Sequence, residues 1–141
     1  MDTRREGRIL KTLQRAATEG YRFLPESRIK ALESALNVLE DSPYFNCGYG
    51  SVLNLNGEVE MDASIADGKT GRFSAVAAIR FIRNPVSVAR AVMEKTGAVI
   101  LAGDGALEFA RKHGFRESIM FNGKTLEDYE PVNLRQLLRV H

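Results

Sequence analysis

Apolar residues recur at helical spacing from the start of the chain. Leu10, Leu13, Ala17 and Leu24 fall near one stripe, and Pro25 ends the segment. A second helix begins near Glu26 or Ser27. Its Ile29, Leu32, Leu36 and Leu39 stand at i, i+3, i+7 and i+10, an apolar face. So short a link predicts an antiparallel helical hairpin. The Pro, Asn and Gly residues of 41–50 forbid regular structure there. Asn56-Gly57 predicts a two-residue hairpin turn with positive φ at both positions. After it Val59, Met61, Ala63 and Ile65 alternate with Glu58, Glu60, Asp62 and Ser64, a strand with one buried face.

Residues 73–82 are apolar on both faces. Phe73, Ala75, Ala77, Ile79 and Phe81 fall on one side, Val76, Ala78 and Ile82 on the other, as in a central strand covered twice. Asn84-Pro85 reads as an N-cap and first helical residue. The stripe of that helix is Val88, Ala89, Val92 and Met93, and Gly97 can close it. A short buried strand at 99–102 leads through Gly103-Asp104-Gly105 into a last helix. That helix ends at Gly114, with Phe115 placed to pack back on it. Leu134, Leu137 and Leu138 suggest a short amphipathic helix in a polar tail. The element order is mixed α/β (α+β), with too few strands to sandwich a sheet, so one edge or face should be unfinished.

The composition is that of a globular domain: 141 residues, 44% apolar, 27% charged. A net charge of +2 gives no electrostatic case for nucleic acid. The basic run Arg4, Arg5, Arg8, Lys11 and Arg15, broken by Glu6, reads as a solvated helix face. The single Cys47 excludes an internal disulfide. No apolar run is long enough for a bilayer, and no signal-peptide core is present. These features predict a soluble cytoplasmic protein without nucleic-acid or membrane partners.

Candidate chemistry is sparse. Gly103-Asp104-Gly105 follows a strand and opens a helix, but Glu108 stands where a dinucleotide fingerprint needs its third glycine. Cys47 and His113 offer a nucleophile and base with no third group to orient them. One cysteine and two histidines are too few for an ordinary zinc site. Glu58, Glu60 and Asp62 share a strand face that reads as solvated. Asp62 and Asp67 are candidate buried hydrogen-bond acceptors. No complete catalytic set is visible.

Four segments in register carry a resemblance. LEDSPYFNCGYG at 39–50, with Ser51-Val52, resembles the LEDxPxFNAGxGSV segment of plant-type asparaginases. VEMDASI with Asp67-Gly68-Lys69-Thr70 is similar to that family's ELDASIMDGxT. RNPVSVARAVMEKT at 83–96 resembles its RNPISLARAVMEKT, and Gly103-Asp104-Gly105-Ala106 stands at its GEGA. The likeness runs from about Gly20 to Phe115.

The resemblance implies the N-terminal nucleophile hydrolase fold, an αββα four-layer sandwich. The present chain would be its N-terminal half, without the family's first strand and its C-terminal catalytic half. It implies a precursor that cuts itself before a Thr, whose freed amino group then serves the Thr hydroxyl as base. The reaction implied is hydrolysis of the asparagine side-chain amide and of isoaspartyl peptide bonds. This chain would be the α-chain, inactive alone, with a β-chain as partner in a hetero-oligomer. Asn46 would lie near the nucleophile. The backbone carbonyls of Leu39, Glu40, Ser42, Phe45, Cys47 and Tyr49 would hold a structural sodium or potassium ion, and no cofactor would be needed for catalysis. On this basis 1–141 is a single incomplete domain, with an α-chain core at 1–115 and a polar tail or linker at 116–141.

The departures are specific. The family's His-Gly-Gly-Ala-Gly strand and Thr-Val-Gly are absent, and the link between the first helices shortens to Pro25-Glu26-Ser27. Two central-strand glycines are Ser74 and Ala78, and the loop alanine is Cys47. Loss of Met1 would expose Asp2, not Thr3. A non-catalytic truncated homologue or remnant, acting as a binding or scaffold module, is the alternative.

Overall fold

The structure, a computed structural model, describes residues 3–118; the expected tail helix around Leu134–Leu138 lies outside them. Helices α1 (Thr3–Phe23) and α2 (Arg28–Glu40) form the expected hairpin. A loop with one 3₁₀ turn, Gly48–Gly50, where only irregular chain was expected, leads to strands β1 (Met61–Asp67) and β2 (Arg72–Ile79). Helix α3 (Pro85–Lys95), strand β3 (Ile100–Ala102) and helix α4 (Gly103–Lys112) complete the order. The sheet runs β1-β2-β3, antiparallel in the first pair and parallel in the second.

One core joins Ile65, Val76, Ile79 and Ile82 to Val88, Ala89 and Val92 of α3 and to Ala106, Leu107 and Ala110 of α4. Both helices therefore cover the same sheet face, and Ile29 and Leu36 of α2 pack against that core from outside. The predicted α3 stripe is fully internal, and the last helix closes as expected. Gly114 has φ +82, its amide donates to Arg111, and the Phe115 amide donates to Ala110. Among the described residues no helix is long and apolar enough to cross a membrane.

Several local expectations are corrected. Leu10, Leu13 and Leu24 are exposed, because α1 has α2 as its main neighbour and can cover only one stripe. That stripe is centred on buried Ala16 and on Gly20, which lies against Ala31 and Ala35. The hairpin at Asn56-Gly57 has a three-residue loop. Asn54 O accepts from the Gly57 amide, the Asn54 amide donates to Glu58 O, and only Gly57 has positive φ. The strand expected from Val59 begins at Met61, with Val59 held to Leu53 by a single bridge. Gly97 does not close α3. Thr96 does, its amide and hydroxyl both donating to the Val92 carbonyl. β3 is an edge strand with Val99 and Ile100 exposed, not a buried one.

β2 ends at Ile79, short of the expected Ile82, because Ala78 and Phe81 take positive φ. Its faces also differ from strict alternation. Met61 pairs with Ile79 but Ala63 pairs with Val76, so a bulge lets Asp62 oppose two residues. The Asp62 carboxylate accepts from the Ala78 amide at 2.7 Å and fills that bulge. Val76 and Ile79 consequently share the covered face. The other face, with Phe73 and Ile100 about half exposed, is covered by no element among the described residues. The strand expected to be covered twice is covered once.

Candidate functional site

The loop after α2 gathers most of the candidate residues, and its construction starts from Glu40. This last residue of α2 is 5% exposed. Its Oε1 accepts from the Val86 amide at 3.0 Å and its Oε2 from Asn84 Nδ2 at 3.3 Å. The carboxylate of one helix end thus caps the start of another, where free N–H groups and the helix dipole favour negative charge. Asn84 was expected to cap α3 itself. Its side chain makes no such bond and instead donates to Glu40 and Asp41. Arg83 Nε donates to Asp41 Oδ1 at 2.6 Å, so LED at 39–41 and RNP at 83–85 form one junction.

Beyond the junction the chain folds back on itself. Ser42 is buried and its hydroxyl accepts from the Tyr44 amide, while Tyr44 accepts at its own hydroxyl from Arg8 of α1. A Cβ on Gly48 would lie 2.2 Å from Glu40 O, and one on Gly50 2.2 Å from Phe45 O and 2.8 Å from Ser42 O. Three of the six carbonyls expected to hold a cation therefore crowd against two glycines where no side chain fits. Leu39 and Cys47 carbonyls already accept from the Ser42 and Gly50 amides, and each keeps a second lone pair. Tyr49 lies within the 3₁₀ turn. A turn of closely set peptide oxygens suits a hard monovalent cation. Among the described residues no cluster of His, Cys, Asp and Glu could hold a metal through side chains.

Asn46 is exposed, and its Oδ1 accepts from the Val52 amide at 3.0 Å. That bond fixes which end of the amide is oxygen and leaves Nδ2 as the outward donor. Cys47 is the reverse of an activated nucleophile. Burial, helped by the Glu40 charge, pushes its thiol up to about 11. His113 lies at the end of α4 with Nδ1 2.9 Å from the Phe109 carbonyl and its ring against Phe109. No contact joins it to Cys47 among the described residues.

The remaining candidates have structural work. Glu58 pairs with Arg80, and Asp62 fills the bulge. Asp67 is only half-buried and Asp62 is exposed, so both are acceptors but neither is a buried one. Asp67 accepts from the Lys69 amide and the Thr70 hydroxyl, which hold its carboxyl below the usual range and tie the β1–β2 turn. At Gly103-Asp104-Gly105 the exposed Asp104 carboxylate, loosely paired with Arg80, would repel a phosphate. A cleft of about 550 Å³ lies between Arg28 and Lys69, and none of the loop residues 41–50 lines it.

The side chain of Glu40 anchors the loop at the start of α3, a role that no local sequence signal marks; the family resemblance gives a role only to its carbonyl. Burial lifts its carboxyl to about 7, the Val86 and Asn84 hydrogen bonds pulling down and the Asp41 and Glu33 charges pushing up. A raised acid stabilises the fold fully below its unfolded value of about 4.5 and loses that contribution as pH rises through about 7. The loss amounts to about 3 kcal/mol. Glu40→Gln should therefore remove a decline in stability that wild type shows between pH 5 and 7.5. Urea midpoints in a buffer whose only cation is organic would measure it, and parallel pH profiles for the two proteins would refute it.

A family model described as asparaginase matches residues 1–131. The chain is 56% identical over 104 residues to an isoaspartyl peptidase/L-asparaginase of Mus musculus, covering 72% of this chain and 32% of that protein. It is 52% identical over 118 residues to a plant-type L-asparaginase of Pyrococcus abyssi, covering 81% and 39%. A plant-type L-asparaginase of Thermococcus kodakarensis is 48% identical over 133 residues, 92% and 44%. The chain spans less than half the length of each of these relatives.

Proposed function

This chain belongs to the asparaginase family, and from that premise we propose that it is the α-chain part of an asparaginase and isoaspartyl peptidase. The enzyme would hydrolyse the asparagine side-chain amide and β-aspartyl peptide bonds, with the nucleophilic Thr brought by a β-chain in a hetero-oligomer. The observation that carries this is the junction of LED and RNP, which roots the loop bearing Asn46 on two helix ends. In the proposed reaction the β-chain Thr hydroxyl attacks the amide carbon as its own α-amino group takes the proton. That proton passes to the departing ammonia or amine as the C–N bond breaks, and water then cleaves the ester left on the Thr oxygen. Asn46, its oxygen occupied by the Val52 amide, offers Nδ2 as a donor beside that centre.

Four threonines among the described residues have their hydroxyls engaged in structural hydrogen bonds. Thr12 and Thr18 give their hydroxyls to helix carbonyls, Thr96 does the same, and Thr70 bonds Asp67. The purified chain should show no turnover of asparagine or of a β-aspartyl dipeptide, and should gain it when combined with the β-chain of a relative. Turnover by the chain alone that survives rigorous purification refutes the assignment. A stable but silent pair would leave the scaffold alternative.

We further propose that the carbonyls of Leu39, Glu40, Ser42, Phe45, Cys47 and Tyr49 hold a sodium or potassium ion. It would act as a clamp on the loop and take no part in the chemical step. The glycine cradle at Gly48 and Gly50 supports this. Melting should be higher in sodium or potassium than in a bulky organic cation. Asn46→Ala should preserve the difference, since the ligands are peptide oxygens. Equal melting in all three salts removes the ion.

A further inference from the structure

We propose that the Glu40 carboxylate is a positioning residue for Asn46, acting through the loop and never on substrate; this rests on the assignment of that loop to the reaction. Two sets of contacts meet in this one residue. Its side chain is bound into the start of α3 by the Val86 amide and Asn84. Its main chain bears the returning loop, because Gly48 lies against Glu40 O and Cβ with no room for a methyl group.

Asn46 stands between the folded-back segments, two residues before Gly48, and is tied forward to Val52 at 3.0 Å. Glu40 is therefore the buried tie at the root of the loop to α3, the helix that packs on both β1 and β2; Asn37–Ser87 and Glu33–Arg90 join α2 to α3 farther from the loop. Asp41 adds a lateral tie to Arg83, but that pair is exposed on the arginine side and is weaker for it. A buried carboxylate accepting a backbone amide has no solvent to replace it, so its loss frees both the Val86 amide and the loop.

Residue-resolved amide hydrogen exchange on the full chain tests this, with Asn46→Ala fixing the rate of an unheld Val52 amide. Glu40→Ala should speed exchange at Val86 and at Val52 by roughly tenfold while the β1–β2 ladder keeps its wild-type rates. Glu40→Gln, which retains an acceptor for Val86, should change Val52 less. Combined with a β-chain, Glu40→Ala should lower kcat by roughly tenfold with KM unchanged, the pattern of lost orientation. Faster exchange at Val86 with Val52 unchanged would make Glu40 a helix cap only and overturn the proposal. So would acceleration of Val52 and the whole ladder together. Failure of the underlying assignment shows differently, as full turnover by the paired Asn46→Ala enzyme.

Discussion

Gly48→Ala and Gly50→Ala should each destabilise the chain by about 3 kcal/mol or more, the largest effect expected of any single added methyl group. At Gly48 two costs combine. Its φ of +52 is strained for any residue with a Cβ, and that Cβ would sit 2.2 Å from Glu40 O and 2.6 Å from Glu40 Cβ. At Gly50 the conformation is ordinary, but the methyl group would meet Phe45 O at 2.2 Å, Ser42 O at 2.8 Å and Pro43 C at 3.0 Å. These neighbours are main-chain atoms, so no rotamer change relieves the overlap. The loop must open, and with it the carbonyl cradle. Gly97→Ala is the control: nothing lies within 4 Å of its Cβ and its φ is not positive. It should be neutral or slightly stabilising, because alanine narrows the unfolded ensemble. Thermal and urea unfolding of the three variants would decide the matter. A Gly48→Ala or Gly50→Ala protein that melts like wild type would mean that the loop is not packed as described.

What could be read in the sequence divides along physical lines. Several contacts that depend on neighbours a few residues away were legible, although the cap at Asn84, the stop at Gly97 and the turn at Asn56-Gly57 fold otherwise than their residue types suggest. Val88, Ala89, Val92 and Met93 are all internal, and Gly114-Phe115 closes α4 as its residue types require. Ser27 caps α2 by accepting from the Lys30 amide. Contacts set by distant partners were not. Glu40 looks like any last-turn glutamate until Val86, 46 residues later, is brought to it. Alternation along 73–82 cannot reveal a bulge created by Asp62 on another strand, which moves Ile79 to the side of Val76.

The two substituted glycines of the family pattern make the same point. Ser74 is fully buried yet satisfied, its hydroxyl donating to the Ala89 carbonyl, a bond that ties sheet to helix. Ala78 keeps the positive φ that glycine tolerates best. The motif residues could be placed by likeness to a family, but their work required coordinates. LED and RNP are separated by 42 positions in sequence and by one hydrogen bond in space.

The chain alone should associate with itself, and Phe73→Glu combined with Ile100→Glu should make it monomeric while abolishing pairing with a β-chain. Residues paired across strands share a face, so Ser64, Ala75 and Ile100 lie together, as do Ala66 with Phe73 and Ala77 with Ala102. This row of mostly small residues, with Phe73 at 48% exposure and Ile100 at 56%, has no helix or strand layered over it among the described residues. Small side chains with larger ones at the margin suit a second sheet stacked about 10 Å away. Covering a few hundred Å² of such a face is worth roughly 25 cal/mol per Å², several kcal/mol in all. That is a large fraction of the stability of a domain this size, so the face should find an occupant: another copy in isolation, a β-chain when one is supplied. Two carboxylates at its margins would resist either, since each would have to lose its water. Because Phe73 and Ile100 are exposed and outside the helix-covered core, the double variant should melt cooperatively at a temperature that does not depend on its concentration and that matches wild type in the limit of high dilution, which separates lost association from lost folding. Sedimentation of both proteins, with and without a β-chain, reads the outcome directly. A wild-type chain that sediments as a sharp monomer, or a double variant that still pairs and turns over asparagine, would show that this face is not where the proposed second sheet packs.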